Sequence, residues 1–307
     1  MVNEVKKKKK FNKQDVFYWL VLLYPLVQFA LFYVYVNFKS VMFTFQEWSL
    51  ADGAFVFRQD IFGNIKDTLQ EMFTSNTLQT AFKNSLILLV GNLLIGTTFS
   101  ILFSYYIYKK GIGSEVFKVV LYLPSIISSI CLAVIFNYFV EDAYPALVEL
   151  LTGKEVVGLL GEEKTMFTTI LFYTLITGFA AQILMYCGAM SGIPQEMVEA
   201  AELDGCTYFK ELFYITLPSI WGTLTTFVVV QFAHTFTNQM NLFNFFGAGA
   251  NNFMYTMGYY LYRKIKISES FSDYPSLASM GVILTVITIP VTLLVNKLMK
   301  KLGPKED

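Results

Sequence analysis

The sequence is short of the side chains that do chemistry. It holds one histidine, His234, and three cysteines, Cys131, Cys187 and Cys206, which show no paired spacing. That set excludes a disulfide framework and a zinc site. No nucleophile–histidine–acid constellation is expected either, because the one histidine lies inside an apolar run. Charge is scarce: 15% of residues are charged, and 23 basic side chains are balanced by 23 acidic ones. Zero net charge removes any strong pull toward nucleic acid. The phosphate-cradling pattern G-x-x-x-x-G-K-[ST] is missing. "GNLLIGTT" at 91–98 has the glycine spacing but no lysine, and it lies inside an apolar run. Any energy from a nucleotide must therefore enter through another chain.

What abounds is hydrocarbon, with 55% apolar residues, too greasy for a soluble domain of this length. Six runs, near 16–38, 84–108, 116–140, 165–190, 219–240 and 277–298, are long enough to span a bilayer. About 20 apolar residues cross roughly 30 Å of hydrocarbon. Helices are expected, because every backbone polar group in lipid must be satisfied within its own segment. The expected fold is an all-α membrane protein with six transmembrane helices. The first run follows a lysine block, but it is too long for a cleaved signal and no small-x-small site follows it. It reads as a retained span.

Lysine and arginine placement sets the orientation. Lys6 to Lys10, Lys13, Lys109, Lys110, Lys118, Lys210, Lys297, Lys300, Lys301 and Lys305 fall on one side, and Arg263, Lys264 and Lys266 oppose them. The lysine block before the first span decides for cytoplasmic N- and C-termini in the cell membrane. The expected organisation is a basic cytoplasmic tail at 1–15, a first transmembrane helix and outer loop at 16–83, a core with five transmembrane helices at 84–300, and a cytoplasmic tail at 301–307. The outer loop at 39–83 should carry short amphipathic helices. A second, at 141–164, holds Glu141, Asp142, Glu149, Glu155, Glu162 and Glu163, and a third, at 241–276, is rich in Asn, Gly and aromatics.

Between the fourth and fifth runs stands "GIPQEMVEAAELDGCTYFKELFYITLP" at 192–218. Pro194 suits the first turn of a new helix, where its missing N–H costs nothing. Glu196 and Glu199 lie near that helix's positive end. Gly205 is placed for a left-handed C-cap, and Thr207 for capping the next helix. Phe209, Leu212, Phe213 and Thr216 are spaced for one buried stripe. The product is a compact elbow that leaves the membrane and returns, slim at Ala200 and Ala201. Physics alone leaves equal room for a loop lying on the bilayer surface.

Polar groups inside a membrane are costly and face a partner or a pathway. The fifth run supplies Gln231, His234, Asn238 and Asn241, whose steps of three, four and three place them on one helical face. The fourth adds Thr174, Gly178 and Gln182 at i, i+4, i+8. A pathway for neutral cargo and helix–helix glue both fit these residues.

The sequence resembles the permease subunits of binding-protein-dependent ABC importers, most closely the maltose-type carbohydrate permeases. The resemblance rests on "EAAELDG" followed after nine residues by "ITLP", and on "KNSLILLVGN" at 83–92, "LYLPSIISSICLAVIFNYF" at 121–139 and "YPSLASMGVILTVI" at 274–287. It covers roughly 80–300. One departure is that the turn after the fifth run reads "FFGAGANNFMYTMGYYLY" and lacks the proline common there. The resemblance implies a type I ABC importer permease fold in which the elbow is a coupling helix docking on an ATPase through Glu199, Ala200, Ala201, Asp204 and Gly205. It implies a second, homologous permease, two ATPase subunits (a homodimer or a heterodimer) and an extracytoplasmic binding protein received by the outer loops. The permease itself would not be an enzyme and would hold no cofactor; ATP and Mg would belong to the ATPase. The cargo pathway is expected along Thr174, Gly178, Gln182, Gln231, His234, Asn238 and Asn241, with Tyr186 or Tyr255 offering an aromatic face. By position in the motif, Thr174, Gly178 and Asn238 match best. Absence of buried Arg or Lys favours a sugar or oligosaccharide. A polyol or another small solute is the alternative within the class. A stand-alone secondary carrier is the alternative outside it.

Overall fold

The computed structural model describes residues 13–267 and 270–304, and the side chains of 13–16 and 181 lie outside the description. The lysine block at 6–10 and Lys305 are therefore outside the described residues. The chain divides into two compact units, Met1–Thr68 with Ser270–Val282, and Leu69–Glu269 with Ile283–Asp307. Among the described residues, five helices are long and apolar enough to cross a membrane, or six if one bent pair counts as a single span. They are α1 (Phe17–Phe43), α3 (Asn76–Tyr108), α5 (Ser129–Thr152), α6 (Glu163–Ser191), the pair α8 (Tyr208–Ser219) and α9 (Trp221–Ala233), and α12 (Asp273–Leu302). Between these lie α2 (Gly63–Thr74), α4 (Ser114–Ile126), α7 (Gln195–Leu203), α10 (Leu242–Phe246) and α11 (Met257–Ile267). The side chains of α1 are exposed from residue 17 to residue 41, as expected of a helix whose solvent is lipid.

In the first unit the loop at 39–83 departs from expectation. Its centre is an antiparallel hairpin, β1 (Gln46–Ser49) with β2 (Ala54–Phe57), and not a helix. The aromatic and β-branched residues "AFVF" favour a strand, and Gly53 supplies the left-handed turn residue at φ +59°. Asn64 at the start of α2 donates to the carbonyls of Thr44 (3.0 Å) and Gln46 (2.7 Å). Trp48 stacks on Phe271 with ring centroids 4.7 Å apart. The amphipathic helix that was expected is α2 alone.

In the second unit two spans differ from their apolar runs. The run at 116–140 is broken at Ile127 and Ser128, both extended. Pro124 cannot donate to the ladder, and the helix restarts at Ser129 and continues to Thr152. That extension takes in much of the acidic loop. Glu141 is no free surface charge: its Oε1 accepts from the Leu160 N–H at 2.6 Å. The run at 219–240 is bent by 74° between α8 and α9. Its helix ends at Ala233, seven residues before the run does.

The bend is packed, not loose. Trp221 Nε1 donates to the Met299 carbonyl of α12 at 2.8 Å. Tyr105, Tyr186, Met190, Ile193, Val198, Leu212 and Ile220 form one buried cluster, which joins α3, α6, α7 and the bent pair. Among the described residues, short π-helical turns interrupt four helices, at Phe29–Tyr35, Asn92–Gly96, Phe139–Ala143 and Leu212–Thr216. The expected stripe is buried only in part: Leu212, Thr216 and Ile220 are buried, while Phe209 and Phe213 stay 70% and 61% exposed. At the far end, α12 runs on through Lys301 and Leu302.

Candidate functional site

Two places gather the residues of interest. The first is the elbow. Gly192 ends α6, and the next helix, α7, begins at Gln195 with Pro194 just before it. Val198 is buried in the core cluster, so the helix is fastened by its apolar side. Its other side faces outward: Glu199, Ala200, Asp204 and Gly205 are exposed, and Ala201 is half-buried. Glu199 accepts from Gln195 Nε2 at 2.7 Å. The helix closes as the spacing predicts. Gly205 takes φ +74°, its N–H bonds Glu202 O at 3.1 Å, and the Cys206 N–H reaches back to Ala201 O at 2.9 Å. These are the two bonds of a Schellman motif, which favours glycine at this position. Thr207 has the extended conformation of an N-cap, but its side chain makes no capping bond. Leu203, 89% exposed at the tip, gives the elbow an apolar point among its acids.

A salt-bridge cluster with no signature in the sequence sits beneath the elbow. Lys109, which follows α3, lies 2.9 Å from Glu211 and 3.1 Å from Glu202. Glu211 is 3% exposed. Burial lowers the Lys109 ammonium, but the hydrogen bonds and charges of Glu211 and Glu202 outweigh it and hold the group above its ordinary value. The only sequence signal was a lysine pair closing a span, which is also an ordinary orientation signal.

The second place is a polar cavity of about 180 Å³. Thr174, Gly178 and Gln182 line it from α6, Gln231 from α9, and His234 and Asn238 from the segment that follows α9. Six of the seven expected pathway residues thus share one wall. The reason differs from the one expected. Past Ala233 the chain turns, with His234 at φ −91°, ψ 5°, so a helical face does not align these side chains. A tight turn follows them, with Met240 at φ 52° and Asn241 at φ 54°. Asn238 Oδ1 accepts the Met240 N–H at 2.9 Å, which fixes that turn. Asn241 sits behind the cavity, its Nδ2 3.5 Å from Thr174 Oγ1, and Thr174 donates to Met240 O at 3.2 Å.

The polar groups that remain are neutral. Gln182 lies 3.2 Å from Ser100 Oγ, and Gln231 Nε2 donates to Thr97 at 3.1 Å. The Gln231 Oε1 acceptor is buried with no partner among the described residues. Asn92 also lines the wall. It opens the π turn Asn92–Gly96, which the glycine-spaced run gave no reason to suspect. A Cβ on Gly178 would meet only Asn92 Oδ1, at 3.9 Å, so the glycine keeps the wall open opposite Asn92. The tyrosines do not serve as expected. Tyr186 is fully buried in the core cluster, and Tyr255 is buried against Tyr259 at 5.0 Å; neither lines the cavity.

Apolar spans, an exposed acidic elbow closed by glycine and a neutral polar cavity together define a membrane permease. Residues 96–306 match the family described as "Binding-protein-dependent transport system inner membrane component". The chain belongs to that family, one of transport permeases and not of enzymes. It is 23% identical over 286 residues to the multiple sugar-binding transport system permease protein MsmF of Streptococcus mutans, covering 92% of this chain and 95% of that one. It is 26% identical over 287 residues to the glucose import system permease protein GlcT of Saccharolobus solfataricus, covering 90% and 96%. Its fold is similar to a chain of a bacterial ABC transporter that imports the acidic polysaccharide alginate, with TM-score 0.77, 19% identity and coverage of 95% and 98%.

Proposed function

We propose that this chain is the membrane permease of an ATP-driven importer for a sugar or oligosaccharide. The observation that carries the proposal is the elbow. Glu199, Asp204 and Leu203 are presented outward on a helix whose opposite side is packed into the span ends. Such a surface suits a partner that pushes on it. The partner would be an ATPase pair on the cytoplasmic side, which would use ATP and Mg while this chain binds no cofactor. Both termini and the elbow then lie in the cytoplasm, and the permease works beside a second, homologous permease. A solute-binding protein would dock on the opposite face; one similar structure is described as a transporter in complex with a pentasaccharide-bound periplasmic protein.

The cargo reading follows from the cavity wall. Amides, hydroxyls and one imidazole line it beside Leu88, Leu89 and Val230, without Arg or Lys. A neutral hydroxyl-rich solute can donate to the orphaned Gln231 Oε1, which otherwise carries the cost of a buried unpaired acceptor. The names of the relatives, which include multiple-sugar and glucose permeases, agree with this chemistry. The test is co-purification of the complex, followed by ATP hydrolysis in vesicles with and without sugar-loaded binding protein. Stimulation by one sugar class supports the reading. Hydrolysis indifferent to every sugar but raised by a polyol moves the cargo while keeping the machine.

A further inference from the structure

The cluster beneath the elbow has a geometry that neither docking nor cargo requires. Glu202 lies on α7, the first arm of the elbow, and Glu211 on α8, the second. The Gly205 turn separates them. Lys109 caps the C-terminus of the helix that ends at Tyr108, where the helix dipole also favours a cation. Its one ammonium reaches both arms, at 3.1 Å and 2.9 Å, and stands 5.5 Å over the Tyr208 ring. Tyr105, one turn earlier, donates to the Tyr208 carbonyl at 3.0 Å. The side chains are unequally covered: Glu211 is 3% exposed, Lys109 13% and Glu202 58%.

We infer that Lys109 is a positioning residue for the elbow, pinning both of its arms to the inner end of α3 so that elbow and span move as one body. The inference rests on the reading of the elbow as the coupling element. Glu211 is buried and has little water to turn to in place of Lys109, which keeps this arm engaged. An exposed carboxylate on the same ammonium adds angular control at little desolvation cost. A hinge at Gly205 with no such pin would let a push on α7 dissipate in the turn. With the pin, displacement of α7 is delivered to α3, whose Asn92, Thr97 and Ser100 lie at or beside the polar cavity.

The test uses the complete importer in vesicles and reads permease abundance with co-purified ATPase, sugar uptake, and ATP hydrolysed per sugar moved. Lys109→Met/Glu211→Gln removes both inner charges without leaving a lone buried carboxylate. Glu202→Lys reverses the exposed arm at a position where folding is not at stake. Both variants are expected to assemble with the ATPase, to lose uptake about tenfold and to hydrolyse about threefold more ATP per sugar. Lys109→Glu should be inactive, and Lys109→Glu/Glu211→Lys should regain about a third of wild-type uptake. Wild-type uptake and wild-type ATP per sugar in either the neutral pair or Glu202→Lys overturns the inference. Lost abundance of the neutral pair combined with unchanged coupling in Glu202→Lys also overturns it, because the cluster then serves folding alone. The elbow reading fails separately: wild-type uptake by Gly205→Val sinks it whatever the Lys109 variants do.

Discussion

Asn84 holds Tyr255 by its backbone. The Asn84 amide donates both hydrogens to carbonyls of the loop before α11, that of Phe253 at 2.8 Å and that of Tyr255 at 2.9 Å. The next residue, Ser85, accepts the Met257 N–H at 2.9 Å. Two adjacent side chains of "KNSLILLVGN" thus moor a loop about 170 residues away in sequence, which a ladder within α3 cannot do.

Asn84→Asp replaces the two donors with an acceptor facing two carbonyls. Each buried carbonyl left unpaired costs about 1–3 kcal/mol. Membrane abundance of the permease should fall sharply, with Asn84→Ala intermediate. Normal abundance of Asn84→Asp by quantitative immunoblot would show that water replaces the amide.

Gln231 and Asn238 should behave differently, although both line the cavity. Gln231→Ala removes an acceptor offered to cargo, worth about 0.5–1.5 kcal/mol, so apparent affinity for uptake should weaken about three- to tenfold at unchanged abundance. Asn238 Oδ1 is already engaged by the Met240 N–H. Asn238→Ala should therefore lower abundance first, and Asn238→Asp, which keeps the acceptor, should restore it. Equal affinity losses at equal abundance in both alanine variants would refute this division.

Gly205→Val forces a β-branched side chain into φ +74°, at a backbone cost of about 1–2 kcal/mol. No atom lies within 4 Å of the added Cβ, so the effect is conformational and not steric. Gly205→Asn should retain most uptake, since asparagine tolerates the left-handed region. Uptake assays at matched abundance decide the order Gly, Asn, Val.

Lys109 sets an expectation for pH. Its folded value lies above the ordinary one because Glu211 and Glu202 outweigh burial. A raised cation contributes stability in full below its unfolded value and loses it as pH climbs from there through the folded one. The difference in thermal midpoint between wild type and Lys109→Met/Glu211→Gln should stay flat from about pH 7 to 9 and shrink as pH rises through the ordinary lysine value and beyond. A difference that vanishes within the flat interval would mean another group supplies the stabilisation.

Orientation is checked with two cysteines in a background without the native three. Ile112 is 99% exposed and residue 155 is exposed too, so burial limits labelling at neither. A cysteine at 155 should react with an impermeant reagent in intact cells, and one at 112 should not. The reverse pattern would invert the protein.

Hydropathy determined the membrane class, most span positions and the elbow between them, because lipid demands apolar side chains whatever the backbone does. The Schellman turn at Gly205 was equally legible, since its bonds run between residues close in sequence and glycine takes its φ at little cost. The same indifference of lipid to backbone hid the breaks. At Ile127 and Ser128, and again at His234, apolar or helix-compatible residues continue while the helix does not. A period of 3.6 therefore promised one face where a turn supplies another. Tertiary packing decided the rest. It gave the hairpin at 46–57 its aromatic partners, buried Tyr186 and Tyr255, and tied Asn238, Asn241 and Thr174 into the turn itself. The pairing of Lys109 with Glu202, 93 positions apart, has no local signature. A lysine at the end of a span reads as an orientation charge until the fold buries a carboxylate against it.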